Sequence, residues 1–169
     1  MSINVFLSVG RTVSTEQKEF VAAIETFLKA HDLTPRTVSR TDFAHQKPLK
    51  LIAQVLSECS GTVVVALERL HITGGVEFRD TADAVGLANV NLPTVWNQIE
   101  AAMAYTLGQP LLAIIESGLR NEGLLEEGYD WYVEWIDLNP DSLKEPGFLR
   151  TFANWKRNVE KYQTERDSE

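Results

Sequence analysis

The chain contains the uncharged run Thr62-Val63-Val64-Val65-Ala66-Leu67. A strand that is apolar on both faces is typical of a parallel sheet, which is covered by helices on both sides. Short runs rich in β-forming residues lie before and after it. Residues 3–7 and 35–38 predict the first and second strands, and residues 110–115 and 131–136 predict the fourth and fifth.

Helical patterns separate these strands. Ser14 predicts an N-cap with Gln17 as its capping-box partner, and the helix that follows runs to about His31. A second helix ends at Ser60-Gly61, a third is opened by Pro93 and ended by Gly108, and a terminal helix closes the chain. A short helix is predicted over residues 119–125. The apolar stripes of the second, third and terminal helices are Leu49, Ile52, Val55 and Leu56; Trp96, Ile99, Met103 and Leu107; and Phe148, Phe152, Trp155 and Val159.

Alternating strands and helices predict the architecture. They indicate a parallel sheet with right-handed crossovers, and five strands at this spacing suit an α/β flavodoxin-like three-layer sandwich with strand order 2-1-3-4-5. A length of 169 residues is typical of one domain, expected here over residues 1–169. Ligands of such sheets bind at the carboxyl ends of the strands.

The pattern breaks between the third strand and the third helix. Residues 69–91 contain Gly74-Gly75 and scattered charges, with no sustained helical or strand period. We expect a long excursion without regular structure, and such loops are usually functional or mobile.

Charge and composition exclude several classes of protein. The 16 Lys and Arg residues against 24 Asp and Glu residues give a net charge of -8, which disfavours nucleic acid and anionic membranes as partners. Cys59 is the single cysteine, and no secretion signal precedes the first strand, so a cytoplasmic location is expected. The three histidines lie in separate segments, so neither a metal site nor a bound cofactor is expected.

The loop after the first strand is the first candidate binding segment. Ser8 and Gly10 offer backbone amides to a phosphate, and Arg11 offers a charge-assisted contact. The same residues suit a plain strand-to-helix turn, because neither a Walker loop nor a dinucleotide fingerprint is present.

Charged residues follow the next two strands. Arg40 comes after the second strand, and Glu68 and Arg69 come after the third. The carboxyl-edge rule makes all three candidates for substrate binding. Glu68 and Arg69 also suit a simple ion pair that neutralises itself.

The third predicted helix carries the candidate for chemistry. Trp96 and Asn97 stand one turn before Glu100, so an indole, an amide and a carboxylate share one patch. This set suits a sugar ring, with the carboxylate holding ribose hydroxyls or stabilising an oxocarbenium-like centre. The alternative is a solvent-exposed Glu100 that keeps the helix soluble. The aromatic side chains between Tyr129 and Trp135 suit a base-stacking surface, but the negative net charge argues against nucleic acid, so they are expected to pack in a core or interface.

Residues 96–112, Trp-Asn-Gln-Ile-Glu-Ala-Ala-Met-Ala-Tyr-Thr-Leu-Gly-Gln-Pro-Leu-Leu, resemble the signature of nucleoside 2-deoxyribosyltransferases and their TIR-like relatives. The resemblance covers about the first two thirds of the chain in order. It implies the flavodoxin-like fold and cleavage of an N-glycosidic bond in a nucleoside, a nucleotide or NAD. Glu100 matches the family's catalytic Glu, which is the nucleophile in the transferases and positions the ribose in the TIR enzymes. The transferases' substrate-orienting Asp and Asn-containing loop have no secure match among residues 77–97.

Two functions follow from the resemblance. The first is cleavage or transfer at the N-glycosidic bond of NAD or a related nucleotide or nucleoside, as in bacterial TIR-like effectors that act in defence against phage. A second copy of the chain or a partner protein would then complete the site. The alternative is a non-catalytic nucleotide-sensing or adaptor domain of the same fold.

Overall fold

The computed structural model describes residues 2–38 and 48–168. Its strands are β1 (Ile3–Val9), β2 (Leu33–Arg36), β3 (Thr62–Ala66), β4 (Leu70–Ile72), β5 (Gly75–Glu77), β6 (Val85–Leu87), β7 (Val90–Leu92), β8 (Leu111–Glu116) and β9 (Tyr132–Ile136). Its helices are α1 (Thr15–Ala30), α2 (Pro48–Ser57), α3 (Val95–Thr106) and α4 (Pro146–Arg166).

A five-stranded sheet of order β2-β1-β3-β8-β9 forms the centre, and every neighbouring pair is parallel. Thr62 of β3 pairs with Phe6 of β1 on one side and with Leu111 of β8 on the other. The expected α/β flavodoxin-like sandwich with strand order 2-1-3-4-5 is therefore confirmed. The second strand begins at Leu33 rather than at residue 35, because the buried Leu33 already pairs with Ile3.

Strand β3 is buried on both faces, as its composition predicts. Val63 and Val65 pack in the core under α1 and α4, and Val64 packs with Ala101 of α3 on the opposite face. All three valines are at most 2% exposed. Burying each such side chain stabilises the fold by about 1.5–3 kcal/mol, so helices must cover both faces.

The start of α1 is fixed to the sheet by one side chain. Ser14 caps the helix as predicted, its Oγ accepting from the Gln17 backbone N–H at 3.1 Å. The Gln17 side chain accepts from the Val13 N–H and donates to the Glu68 carbonyl at 3.1 Å. The capping partner thus also joins α1 to the residues that follow β3.

The predicted buried face of α3 is confirmed at Trp96 and Met103, which pack against a core cluster, and is wrong at Ile99 and Leu107. Asn97, Ala101 and Ala104 face the sheet, whereas Ile99 and Leu107 are 38% and 45% exposed. Small side chains let the helix lie close to the strands, so hydrophobic bulk does not mark the inner face here. The helix is capped by Thr94 rather than opened by Pro93, which lies outside it. It ends, as predicted, before Gly108, whose φ is +70°.

The excursion is not structureless, and this expectation is also wrong. Strand β4 pairs with β7 and β5 pairs with β6, both antiparallel, so residues 70–92 form a narrow two-stranded β-ribbon. The guanidinium of Arg120 holds the ribbon through Glu77 at 2.6 Å, and the Arg120 N–H donates to the Asn91 carbonyl at 2.8 Å. The helix expected over 119–125 is only a 3-10 turn at Gly123–Leu125.

Among the described residues, no helix has the length and apolar character needed to cross a membrane.

Candidate functional site

The site lies where β1 and β3 end and α3 begins. Asn97 of α3 is 1% exposed, and its Nδ2 group donates to the Ser8 hydroxyl at 3.0 Å. The same group faces the carbonyls of Ser8 at 3.3 Å and Val65 at 3.5 Å. A single amide therefore ties two strands to the first turns of the helix. Ser8, itself fully buried, is part of this support and not of an open surface.

The other end of the Asn97 amide is unsatisfied. Its Oδ1 atom is buried and has no hydrogen-bond donor within the part of the chain that the structure describes. Because Nδ2 faces the strand carbonyls, Oδ1 is directed away from them. A buried acceptor without a partner costs about 1–3 kcal/mol, so such a group calls for a water or a ligand.

A small cleft borders this amide. It is lined by Gly10, Arg11, Leu67, Glu68, Arg69, Thr94 and Asn97, and its volume of about 10 Å³ is close to what one water needs. The cleft therefore brings together the predicted residues from β1, β3 and α3 at one edge of the sheet.

Gly10 allows the close approach of β1 and α3. A Cβ atom built on this glycine would lie 3.0 Å from Cγ2 of Thr94. Thr94 is the N-cap residue, and its hydroxyl accepts from the Trp96 N–H at 3.4 Å. In the structure Gly10 therefore has a steric role that was not predicted from the sequence: it sets the distance between the first strand and the start of the helix.

Two guanidinium groups lie at the rim of the small cleft beside Asn97. Arg11 and Arg69 are exposed, and neither forms an ion pair with any described residue. The ion pair considered for Glu68 and Arg69 is therefore not formed. Arg69 also lines a second cleft of about 360 Å³, whose wall includes Trp96. This edge can attract an anion locally despite the negative net charge.

Glu100 lies one turn beyond Trp96 on α3. It is partly buried, on the flank of the helix where Trp96 and Met103 pack against the cluster of Phe6, Ile52 and Leu56. Within the described residues, neither of the two clefts above is lined by Glu100. The Glu100 carboxylate therefore lies beside Trp96, about one helical turn further along α3 from the helix start, where Arg11 and Arg69 lie.

Glu116 was not identified by sequence reasoning. This last residue of β8 accepts the Glu68 backbone N–H on Oε2 at 2.6 Å. Burial raises the pKa of the Glu116 carboxyl, the hydrogen bond from Glu68 opposes that rise, and the negative charges of Glu68 and Glu16 add to it. The only signal in the sequence is a carboxylate that ends an otherwise apolar strand.

Arg40, predicted to follow the second strand, lies outside the described residues. Among those that are described, no group of three His, Cys, Asp or Glu side chains could hold a metal ion.

Similarity to known proteins is found among solved structures. No family model matches the chain. No curated protein matches it either. Among solved structures it is similar to the CMP N-glycosidase BcmB of Clostridium botulinum, with 14% identity and a TM-score of 0.47, covering 87% of this chain and 98% of that one. A likeness at this level assigns neither an activity nor a role to any residue.

Proposed function

We propose that the chain cleaves the N-glycosidic bond of a nucleotide or nucleoside, with Glu100 as the carboxylate that acts at the anomeric carbon. One observation carries the proposal: α3 presents Trp96, Asn97 and Glu100 within about one turn, where β1 and β3 end. The resemblance of residues 96–112 to the deoxyribosyltransferase and TIR-like signature supports the same assignment.

Charge at the edge favours a phosphorylated substrate. The guanidinium groups of Arg11 and Arg69 pair with no carboxylate among the described residues, so they would be available to hold a phosphate group. The carboxylate-rich surface elsewhere on the protein would repel phosphate. Trp96 would supply an aromatic wall for a base, and the Glu68 carboxylate would accept hydrogen bonds from ribose hydroxyls. NAD, which carries a pyrophosphate, is the specific substrate we propose.

The proposed reaction needs one carboxylate near the sugar. The bond between the anomeric carbon and the base nitrogen breaks, and the base leaves with the bonding electron pair. Glu100 either stabilises the positive charge that develops on the sugar or forms a bond to the anomeric carbon. Water then completes hydrolysis, whereas a second base in its place completes transfer.

The test is base release. Purified protein would be incubated with NAD, with 5′-mononucleotides and with nucleosides, and released base would be measured by chromatography. We expect release by the wild type and a loss of at least about a hundredfold in kcat for Glu100→Gln, the size expected for a lost catalytic carboxylate.

Glu19→Gln is the matched control, because Glu19 is an exposed carboxylate on α1. It should retain full activity. Equal activity of Glu100→Gln and wild type would remove Glu100 as the catalytic residue.

A non-catalytic role is the second candidate, favoured by the β-ribbon. Leu70, Val76, Phe78 and Val85 on this ribbon are each more than 50% exposed, so the ribbon offers apolar side chains that a partner could cover. An adaptor domain would bind a nucleotide and a partner without turnover. A ligand at a concentration 100 times its dissociation constant would then stabilise the protein by about 2.7 kcal/mol while no base is released.

We further propose a cytoplasmic role in defence against phage, as in the TIR-like effectors that residues 96–112 resemble. Neighbouring genes for a nucleotide cyclase, an Argonaute or a reverse transcriptase would support it. Neighbouring nucleoside-salvage genes would indicate transfer between bases instead.

A further inference from the structure

A third cleft, of about 470 Å³, lies at the opposite edge of the sheet, where β8 and β9 begin. Its size falls in the range of roughly 300–1,000 Å³ that is usual for small-molecule sites. The walls are the end of α3, the residues before β8 and one face of α4. None of the described residues assigned to the proposed glycosidase site takes part in it, so this cleft stands independently of that function.

Four aromatic rings line the cleft, and polar contacts hold three of them in place. The Tyr105 hydroxyl donates to Asp130 at 3.1 Å, and the Tyr162 hydroxyl donates to the Leu107 carbonyl at 2.9 Å. The Tyr132 hydroxyl accepts from the Asn158 side-chain amide, also at 2.9 Å. Because the rings are oriented before a ligand arrives, little rotamer freedom is lost on binding.

The fourth ring, Trp131, shows what the cleft can recognise. Its indole is stacked on Tyr129 at 4.6 Å with planes 14° apart, and it meets Tyr105 edge-on at 5.7 Å. The Trp131 Nε1 donor is buried and has no acceptor among the described residues. A planar heteroaromatic molecule would match the aromatic walls of the cleft.

The charges of the cleft restrict its ligand further. Asp130 and Glu165 carry two negative charges, and the cation of the lining, Lys161, pairs with Glu165 at 3.6 Å. The excess of carboxylate disfavours phosphate, in contrast to the Arg11 and Arg69 rim at the other edge.

We propose that the cleft between Tyr105, Trp131, Tyr132 and Tyr162 is a second ligand site, which binds an uncharged planar heteroaromatic molecule of nucleobase or nucleoside size. Such a ligand would stack on the aromatic walls while its sugar or ring substituents face Asn158 and Lys161. The protein would then have an anion-binding edge and a neutral-ligand edge on one sheet.

Binding would be measured by calorimetry with adenosine and AMP as probes, in an Arg11→Ala/Arg69→Ala/Glu100→Gln background, so that the carboxyl edge lacks both the carboxylate for turnover and the two guanidinium groups for phosphate. We expect saturable binding of adenosine and at least tenfold weaker binding of AMP. The double variant Asp130→Asn/Glu165→Gln should reduce the difference in affinity between adenosine and AMP, because it removes the repulsion between the two carboxylates and the phosphate of AMP. The amide oxygen introduced at position 130 still accepts the hydrogen bond from the Tyr105 hydroxyl.

Tyr105→Ala should weaken adenosine binding about tenfold or more, the size expected for a lost stacking partner. Phe78→Ala, which removes an exposed ring from the β-ribbon, is the matched control and should leave binding unchanged. Should Tyr105→Ala lower the melting temperature, Asn158→Trp at an exposed position of α4 would fill the cleft instead and should abolish binding. Absence of adenosine binding, AMP binding as tight as adenosine, or full binding by Asn158→Trp would overturn the proposal.

Discussion

At the scale of single residues, Asn97 has the most constrained environment in the candidate site. Its Nδ2 group donates toward two backbone carbonyls and the Ser8 hydroxyl, so an acceptor in the same place would face other acceptors. Asn97→Asp should lower the free energy of unfolding by about 2 kcal/mol or more at pH 7, measured by urea denaturation.

Asn139→Asp provides the control for this substitution. The Asn139 side chain accepts from the Asp141 N–H at 3.0 Å, and a carboxylate preserves that contact. The control should therefore unfold at nearly the wild-type urea concentration. Equal stability of Asn97→Asp and wild type would contradict the assigned orientation of the amide.

Glu116 predicts a pH dependence of stability. Burial raises its pKa in the folded protein, so the folded state holds this proton more tightly than the unfolded chain. Its stabilising contribution is complete at pH values below the usual carboxyl range and is lost as the pH rises through the raised pKa. Glu116→Gln should have a higher melting temperature than wild type at pH 7, with no difference at acid pH. A difference of equal size at both pH values would show that ionisation is not its cause.

At the scale of elements, the contact between Gly10 and Thr94 couples β1 to α3. Gly10→Ala places a methyl group 3.0 Å from Thr94 Cγ2, so the Thr94 side chain at the start of the helix must give way. We expect a loss of about 1–3 kcal/mol in unfolding free energy, the usual cost of overpacking, together with lower glycosidase activity.

Thr94→Ser tests whether contact with the Thr94 methyl group causes the loss of stability in Gly10→Ala. Serine lacks the γ-methyl group but keeps the hydroxyl that caps the helix. The double variant Gly10→Ala/Thr94→Ser should recover most of the lost stability in thermal denaturation. No recovery would mean that the contact with the Thr94 methyl group is not what opposes a larger side chain at position 10.

The elements also show where sequence reasoning succeeds and where it fails. Strand β3 could be predicted because its apolar run depends on composition alone. The strands of the β-ribbon could not, because each has only three residues and half of these residues are exposed, which leaves no alternating pattern. The inner face of α3 was missed because Ala101 and Ala104 are buried by close helix packing rather than by hydrophobic size.

The candidate site was predictable to a similar extent. The carboxyl-edge rule needs only the ends of strands, so Gly10, Arg11 and Arg69 were expected together and are found lining one cleft. The burial of Asn97 and the bond from Glu68 to Glu116 depend on how distant segments pack, which no local pattern encodes.

At the scale of the whole molecule, α4 covers the sheet by packing over Gly61. A Cβ atom at this position would lie 2.5 Å from Val159 Cγ2 and 3.3 Å from Trp155 Cζ2. Gly61→Ala should lower the unfolding free energy by about 1–3 kcal/mol, because the buried helix cannot move away without exposing its aromatic residues.

Gly147→Ala is the matched control, since a Cβ atom on this glycine of α4 meets nothing within 4 Å. Combining Gly61→Ala with Val159→Ala should cost less than the two single changes added together, with a coupling of about 0.5–3 kcal/mol in chemical denaturation. Strict additivity would show that Val159 does not oppose the added methyl group.

The two ends of the β-ribbon meet at its base. Leu70 pairs with Leu92, and the Arg69 N–H donates to the Leu92 carbonyl at 2.9 Å. The chain therefore leaves and rejoins the sandwich at nearly the same point, so the ribbon can lengthen, shorten or be exchanged without redirecting β3 or α3. Recognition surfaces could diversify here between relatives while the helix that carries Glu100 keeps its place.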